Sequence, residues 1–358
     1  MTRLLGVCLG AVMGTGCGQP PVESGEVAQL GAPVRAAQSR LRITGGENRS
    51  VAVRPNGSVS STNFGLVSGL GALDLAAGES HTVALKYDGT VWSWGYSGPG
   101  ALGDGTLNDS SVPVHALGLE NVVSVAAGSY YSLAARSDGT VWSWGNNSDG
   151  QLGDGTTSPH FAPQQVPGLS DVVAVAANYD HSLALDSAGK LWAWGSNFQG
   201  KLGDGTTVDR HVPVLVPVLK RVVAMAAGVG HSLAVDSEGQ VWTWGGGVTT
   251  PEPVFGLNRI VDVAGGLAHS LALDSEGKVW AWGANYYGQL GDGTRSPRVE
   301  PVQVPGLSGV VSVGAGFDHS LAVTSRGTAW AWGANSEGQL GVSGGLPYQA
   351  TPAPSSLY

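Results

Sequence analysis

Cysteine is nearly absent from this 358-residue chain. Cys8 and Cys17 are the two it contains, so no disulfide framework holds it, and stability has to come from buried apolar surface. Charge is scarce too: Asp, Glu, Lys and Arg make up 13% of the residues, and 27 acidic against 18 basic side chains leave a net charge of −9. Without a basic stripe, the electrostatic footprint of a nucleic-acid binder is missing, as is that of a protein held on an anionic membrane. Helix-period apolar stripes are absent, and the apolar run at residues 4–13 is too short to cross a bilayer as a helix.

What is there instead is repetition. The chain has 57 glycines, the mark of many short strands and tight turns, and 12 tryptophans arranged as six Trp-x-Trp-Gly units. Their first members are Trp92, Trp142, Trp192, Trp242, Trp280 and Trp330, spaced by 50 residues except for 38 between Trp242 and Trp280. Residues 122–156 are copied around each unit. A seventh, eroded copy comes first: residues 49–59 (RSVAVRPNGSV) align with 81–91 (HTVALKYDGTV), with Ser60 and Thr62 where tryptophans would stand. Uniform repetition argues for one closed object rather than two domains.

Within one copy, residues 122–126 form a β-branched run, and residues 131–135 begin a second strand after Gly128. Where the histidine is kept, His181, Leu183 and Leu185 share one strand face, and Ser182 and Ala184 share the other. Ser137-Asp138-Gly139 supplies a hairpin turn, because Asp-Gly tolerates the positive φ of tight hairpins. The third strand carries Trp142 and Trp144 on one face, to fill the gap to a neighbouring sheet. A long loop leads to a fourth, edge strand expected at residues 164–166, flanked by Pro163 and Pro167. The fold expected is all-β: a seven-bladed β-propeller of four-stranded antiparallel blades.

Leu75 to Leu85 reads L-A-A-G-x-x-H-[ST]-x-A-L, and Gly283 to Thr294 reads G-x-N-x-x-G-Q-L-G-D-G-T. Relatives of the first motif recur at 225–235, 263–273 and 313–323. These stretches resemble regulator of chromosome condensation repeats over about residues 41–345, and that resemblance also implies seven blades. The departures are Tyr131 for the histidine, Asn178 for the glycine, the first copy without tryptophan and the shortened copy that carries Trp242.

Residues 1–17 read as an export signal, with Arg3 as its one charge and Gly14-Thr15-Gly16 before Cys17. Its end resembles a bacterial lipoprotein signal, in which Cys17 is the lipidated residue and Cys8 leaves with the leader. Gly14 stands where that pattern prefers leucine, and ordinary cleavage nearby is the other reading. The expected division is therefore a signal at 1–17, a tether at 18–40 and the propeller at 41–358. The expected location is the cell envelope, on a lipid anchor to a bacterial membrane, or secreted if no lipid is attached.

Candidate sites are few. His81, His181, His231, His269 and His319 occupy one repeat position, which a ring keeps apart; each is expected to cap its own turn by bonding backbone. Asp104, Asp154, Asp204 and Asp292 recur in Gly-Asp-Gly-Thr, where a calcium loop would need acids at other positions, so they form turns. Gly341-Val342-Ser343-Gly344-Gly345 matches G-x-S-x-G with no helix following, and the Asp138 turn matches the sialidase Asp-box only with tighter spacing. No catalytic set, metal ligand or cofactor is expected.

In an antiparallel blade, the turn after strand one and the loop after strand three emerge at the same end. That end is where the copies differ, and it gathers Tyr96, Tyr130, Tyr179, Phe198, Tyr286, Tyr287 and Phe317. Two readings stand: these rings form a partner-binding surface, or some cover the channel mouth or pack beneath loops. The shortened copy leaves a notch in the same rim. The expected protein is a monomeric, exported scaffold without catalysis that binds a protein, or a glycan, through this face. Family resemblance also offers protein binders that exchange guanine nucleotide on a GTPase or inhibit β-lactamases. An envelope glycan-active enzyme is the rival class, with Glu79, Asp180 and Asp318 as its carboxylates.

Overall fold

The computed structural model describes residues 42–358 apart from 64, 343 and 344. The export signal, Cys17 and the tether thus lie outside the described residues, as does Ser343. Seven antiparallel sheets of four strands follow one another along the chain, and no strand is exchanged between sheets. Their first strands are Arg42–Gly45, Ala72–Ala77, Val122–Ala127, Val172–Asn178, Val222–Ala227, Ile260–Gly265 and Val310–Ala315, and all seven line one central channel of about 140 Å³. The blades are numbered one to seven in that order. Phe198–Gly200 forms the one helical turn among the described residues.

Blade three shows the local logic. Its strands are Val122–Ala127, Tyr131–Arg136, Val141–Gly145 and His160–Gln165, paired in sequence order. The fourth begins at His160, four residues before the expected start, because a bulge between Ser143 and Gly145 lets Gly145 pair with His160. Pro163 sits in this outer strand, where one edge needs no donor. At the hairpin, Gly139 has φ +80°, and a Cβ there would stand 2.5 Å from the Asp171 amide of the next blade.

The core lies between blades. Each of seven apolar clusters joins two neighbours. Leu183 and Leu185 of blade four reach forward into the cluster with blade five, whereas Ala184 and Trp194 face back toward blade three. Large residues on one face and small ones plus an indole on the other make a wedge that packs head to tail. The inner tryptophans Trp94, Trp144, Trp194, Trp244 and Trp332 are fully buried, and their outer partners are half-buried. At ring closure between blades seven and one the apolar cluster is joined by a side-chain latch, in which the single proton of the Tyr358 hydroxyl is shared between the carbonyls of Arg42 (2.9 Å) and Val53 (2.8 Å).

Candidate functional site: the loop face

The residues at the repeated histidine position fasten the ring. His181 Nε2 meets Ser232 Oγ of the following blade at 2.9 Å, and His81–Ser132, His231–Ser270, His269–Ser320 and His319–Ser50 repeat the contact at 2.9–3.0 Å. Tyr131 does the same with Ser182 at 3.1 Å, and in blade one Arg49 donates to Thr82 Oγ1 at 3.1 Å. This corrects the expectation that each histidine caps its own turn: the partner is a hydroxyl in the next blade. At His81, His181, His269 and His319 that hydroxyl donates onward to a carbonyl (Ser232 to Lys201, 2.8 Å), so the imidazole Nε2 carries the proton. Burial holds His81 and His269 neutral, with pKa lowered to about 3, and His231 and His319 to about 4.

The long loops are built around one asparagine. Asn147 Nδ2 donates to Asp154 Oδ1 and to the carbonyls of Thr156 and Ser158 at 3.0–3.2 Å, while its Oδ1 accepts from the Leu152 amide at 3.0 Å. Asn197 and Asn285 repeat the arrangement. Asp154, Asp204 and Asp292 accept from the Thr two residues on, so these aspartates shape turns, and Arg210 and Arg298 neutralise the last two. The loop tips are therefore preorganised, with Phe198 68%, Tyr286 63% and Tyr287 44% exposed.

The turns and the loops do share one end of the ring. The Tyr96 and Tyr130 rings meet edge to face at 5.6 Å. The Tyr130 hydroxyl donates to Glu79 at 2.5 Å, which pushes its pKa up to about 12, and Ser129 also donates to Glu79. Burial and the charge of Glu79 raise the pKa of neighbouring Glu47, a carboxylate that the sequence did not single out. Tyr179 and Phe317 differ from the rest. They come from blades four and seven, yet their rings stand 6.1 Å apart over the channel mouth. Asn178, in place of the usual glycine, extends its strand and donates to the carbonyls of Ala227 (3.1 Å) and Gly265 (3.4 Å), which locks the channel beneath them. Tyr179 takes a positive φ of 45° to reach over. For these two rings, covering the mouth is the geometry found.

The three carboxylates expected of an enzyme lie on separate blades and are separately engaged. Asp180 forms an ion pair with buried Lys201, and Asp318 accepts from Gln289 at 3.0 Å with its pKa raised by burial. Glu79 is taken up by Tyr130 and Ser129.

A closed ring of seven such blades of four antiparallel strands defines the class: a β-propeller. Residues 88–135, 138–185, 188–235 and 276–323 match the regulator of chromosome condensation (RCC1) repeat. A second description of that repeat matches 73–98, 122–151, 172–201, 260–289 and 310–339. The chain belongs to the RCC1 repeat family. Among curated proteins, none matches it by sequence. Yeast RCC1 (Prp20), solved bound to Kap60, is 27% identical over 79% of this chain and 74% of its own, with a TM-score of 0.69. Prp20p from Saccharomyces cerevisiae, described with its binding to Gsp1p and histones, is 28% identical over 78% and 76%, at 0.68. Human WBSCR16 is 26% identical over 79% and 81%, at 0.69.

Proposed function

We propose that this chain is a non-catalytic scaffold whose loop face binds a protein partner. The observation that carries the reading is the set of large exposed rings on hydrogen-bonded loops at one end of the ring, with Glu47 and Glu79 beside Tyr130. Rigid aromatic side chains bury much area at little entropic cost, and the acids favour a partner with basic groups around an apolar patch. Protein binding by Prp20, to Kap60 in one structure and to Gsp1p and histones in another, agrees with such a role. The local hydrogen bonds of Glu79, Asp180 and Asp318 speak for structural duties rather than turnover.

Replacing Tyr96, Phe198, Tyr286 and Tyr287 by Ala should weaken partner binding, by about thirtyfold or more at a buried anchor. Asp138, Glu238 and Glu276, on hairpins at the opposite end, are the controls. Binding lost through the controls and kept without the aromatics would reverse the assignment of the face. Loss of glycan turnover on replacing Glu79, Asp180 or Asp318 would instead make the chain an enzyme.

The scaffold is further proposed to be exported and lipid-anchored, on the strength of residues 1–17 and Cys17. A radioactive fatty acid should label the wild type and leave Cys17→Ser unlabelled. An unlabelled wild type that keeps residues 1–16 would refute this part alone.

A further inference from the structure

Five seams are sealed by a loop that reaches over from the blade behind. Between blades three and four, the Gln151 carbonyl accepts from Ser182 Oγ and Trp194 Nε1, both at 2.8 Å. Leu152 is fully buried beside Trp194. The Gly155 amide donates to the His211 carbonyl on the outer strand of blade four at 2.8 Å, and a Cβ on Gly150 would stand 2.8 Å from the His211 Cα. The carbonyls of Ala101, Lys201, Gln289 and Gln339 take the same place at four other seams.

Blades one and five lack the loop. At the first of these seams the Arg49 guanidinium closes the gap, bonding Thr82 and the Gly78 carbonyl at 3.1 Å, and Trp94 is fully buried, although its Nε1 finds no acceptor among the described residues. At the second nothing in the ring substitutes, since Gly246 and Gly247 turn straight into the strand Val248–Val254. Ser270 Oγ meets His231 and has no carbonyl acceptor among the described residues. Trp282 is 8% exposed where Trp94, Trp144, Trp194 and Trp332 show none, and its Nε1 likewise has no acceptor among the described residues. Val299, the counterpart of His211, is 96% exposed. His231 is the one histidine of its set that is not fully buried.

We infer that this open seam is a docking seat for a loop of a partner protein that carries the chemistry of the chain's own seam loops. That loop has a glycine able to approach the Val299 backbone and a carbonyl to accept from Ser270 and Trp282. It also has a leucine-sized side chain to lie against the Trp282 indole and an amide to donate to the Val299 carbonyl. Five occupied seats of the same build in this ring specify the occupant, which supplies a backbone carbonyl to the two donors and an apolar side chain to the indole. The inference rests on the loop face as a protein-binding surface, and adds where on that rim a partner inserts and with what.

The probe is a fluorescein-labelled peptide of residues 147–156 (NSDGQLGDGT), titrated into the full chain and followed by anisotropy. Saturable binding is expected at peptide concentrations up to about 1 mM. Grafting residues 196–209 in place of Gly246-Gly247 fills the seat and should weaken binding at least tenfold. A Ser270→Ala/Trp282→Phe chain, which keeps the shape and removes both donors, should weaken it at least fivefold, so the test does not depend on the graft folding. A peptide with aspartate for its leucine should not bind. No saturation, or wild-type affinity in both the graft and the double variant, overturns the inference. So does self-association that the graft abolishes, which makes the occupant a second copy, or binding seen only after removal of residues 18–40, which makes it this chain's own segment. If the partner is lost with the aromatic substitutions and kept with the graft, this inference fails while the proposed function stands. If neither matters, the proposed function fails first.

Discussion

The seam between blades three and four and the seam between blades five and six are built from equivalent strands, an equivalent indole and an equivalent hydroxyl, and differ in the fastening residue, Tyr131 against His231, and in one loop. With the loop present, Trp194, Ser182 and Leu152 are sealed; without it, Trp282 and His231 reach solvent and Val299 stands bare. Strand packing is thus sufficient to assemble a seam, and the loop adds closure and saturates donors. Acid should act on every histidine-fastened seam. Burial keeps each imidazole neutral in the fold: the pKa is about 3 for His81 and His269, about 4 for His231 and His319, and lowered in the same direction for His181, against about 6.5 unfolded, so the unfolded chain binds more protons across that window. Stability is complete above pH 6.5 and falls by about 1.4 kcal/mol per histidine for each pH unit below it. Urea midpoints measured from pH 7 to 4.5 should drop steeply, and His181→Tyr, which copies the Tyr131 fastening, should flatten the slope; a pH-independent midpoint would contradict neutral burial.

Next in size, Trp194→Ala should cost about 3–5 kcal/mol by denaturant unfolding. Trp282→Ala should fall below it, because its site already opens to water. Equal costs would mean that the loop contributes nothing to burial at the sealed seam. Smallest is the hydroxyl pair. Ser182→Ala removes the donor to the Gln151 carbonyl and to the Tyr131 hydroxyl, which keeps its own bond to the His181 carbonyl, at about 1–3 kcal/mol, while Ser270→Ala breaks one contact in a wetter place and should cost about 1 kcal/mol or less. A reversed order would overturn the ranking of the two seams.

Blade count, strand order and the inward tryptophan face were legible because each follows from a short pattern repeated in phase. The eroded first copy was legible for the same reason, and its Arg49 holds the histidine position. The histidine partner was missed because it lies in the next blade, 51 residues on for His181 and Ser232. The signal was present as a hydroxyl following the fastening residue in every copy, from Arg49-Ser50 to His319-Ser320. The fate of Tyr179 and Phe317 could not be read from either residue, since it depends on Asn178 crossing the channel, a contact between blades four, five and six. Val299 escaped notice because its exposure results from residues missing in a different copy.

Every blade carries a forward-reaching fastener and a hydroxyl that receives one from behind, so any blade can follow any other. Such a head-to-tail contact closes only when the angles between neighbours sum to a full turn; otherwise it runs on without end. A molecule in which the whole seam between blades seven and one lets go, the apolar cluster and the His319 fastening together with the Tyr358 latch, exposes a donor blade and an acceptor blade at once, and so becomes a bifunctional monomer, able to grow chain upon chain through the same contact that otherwise keeps it single.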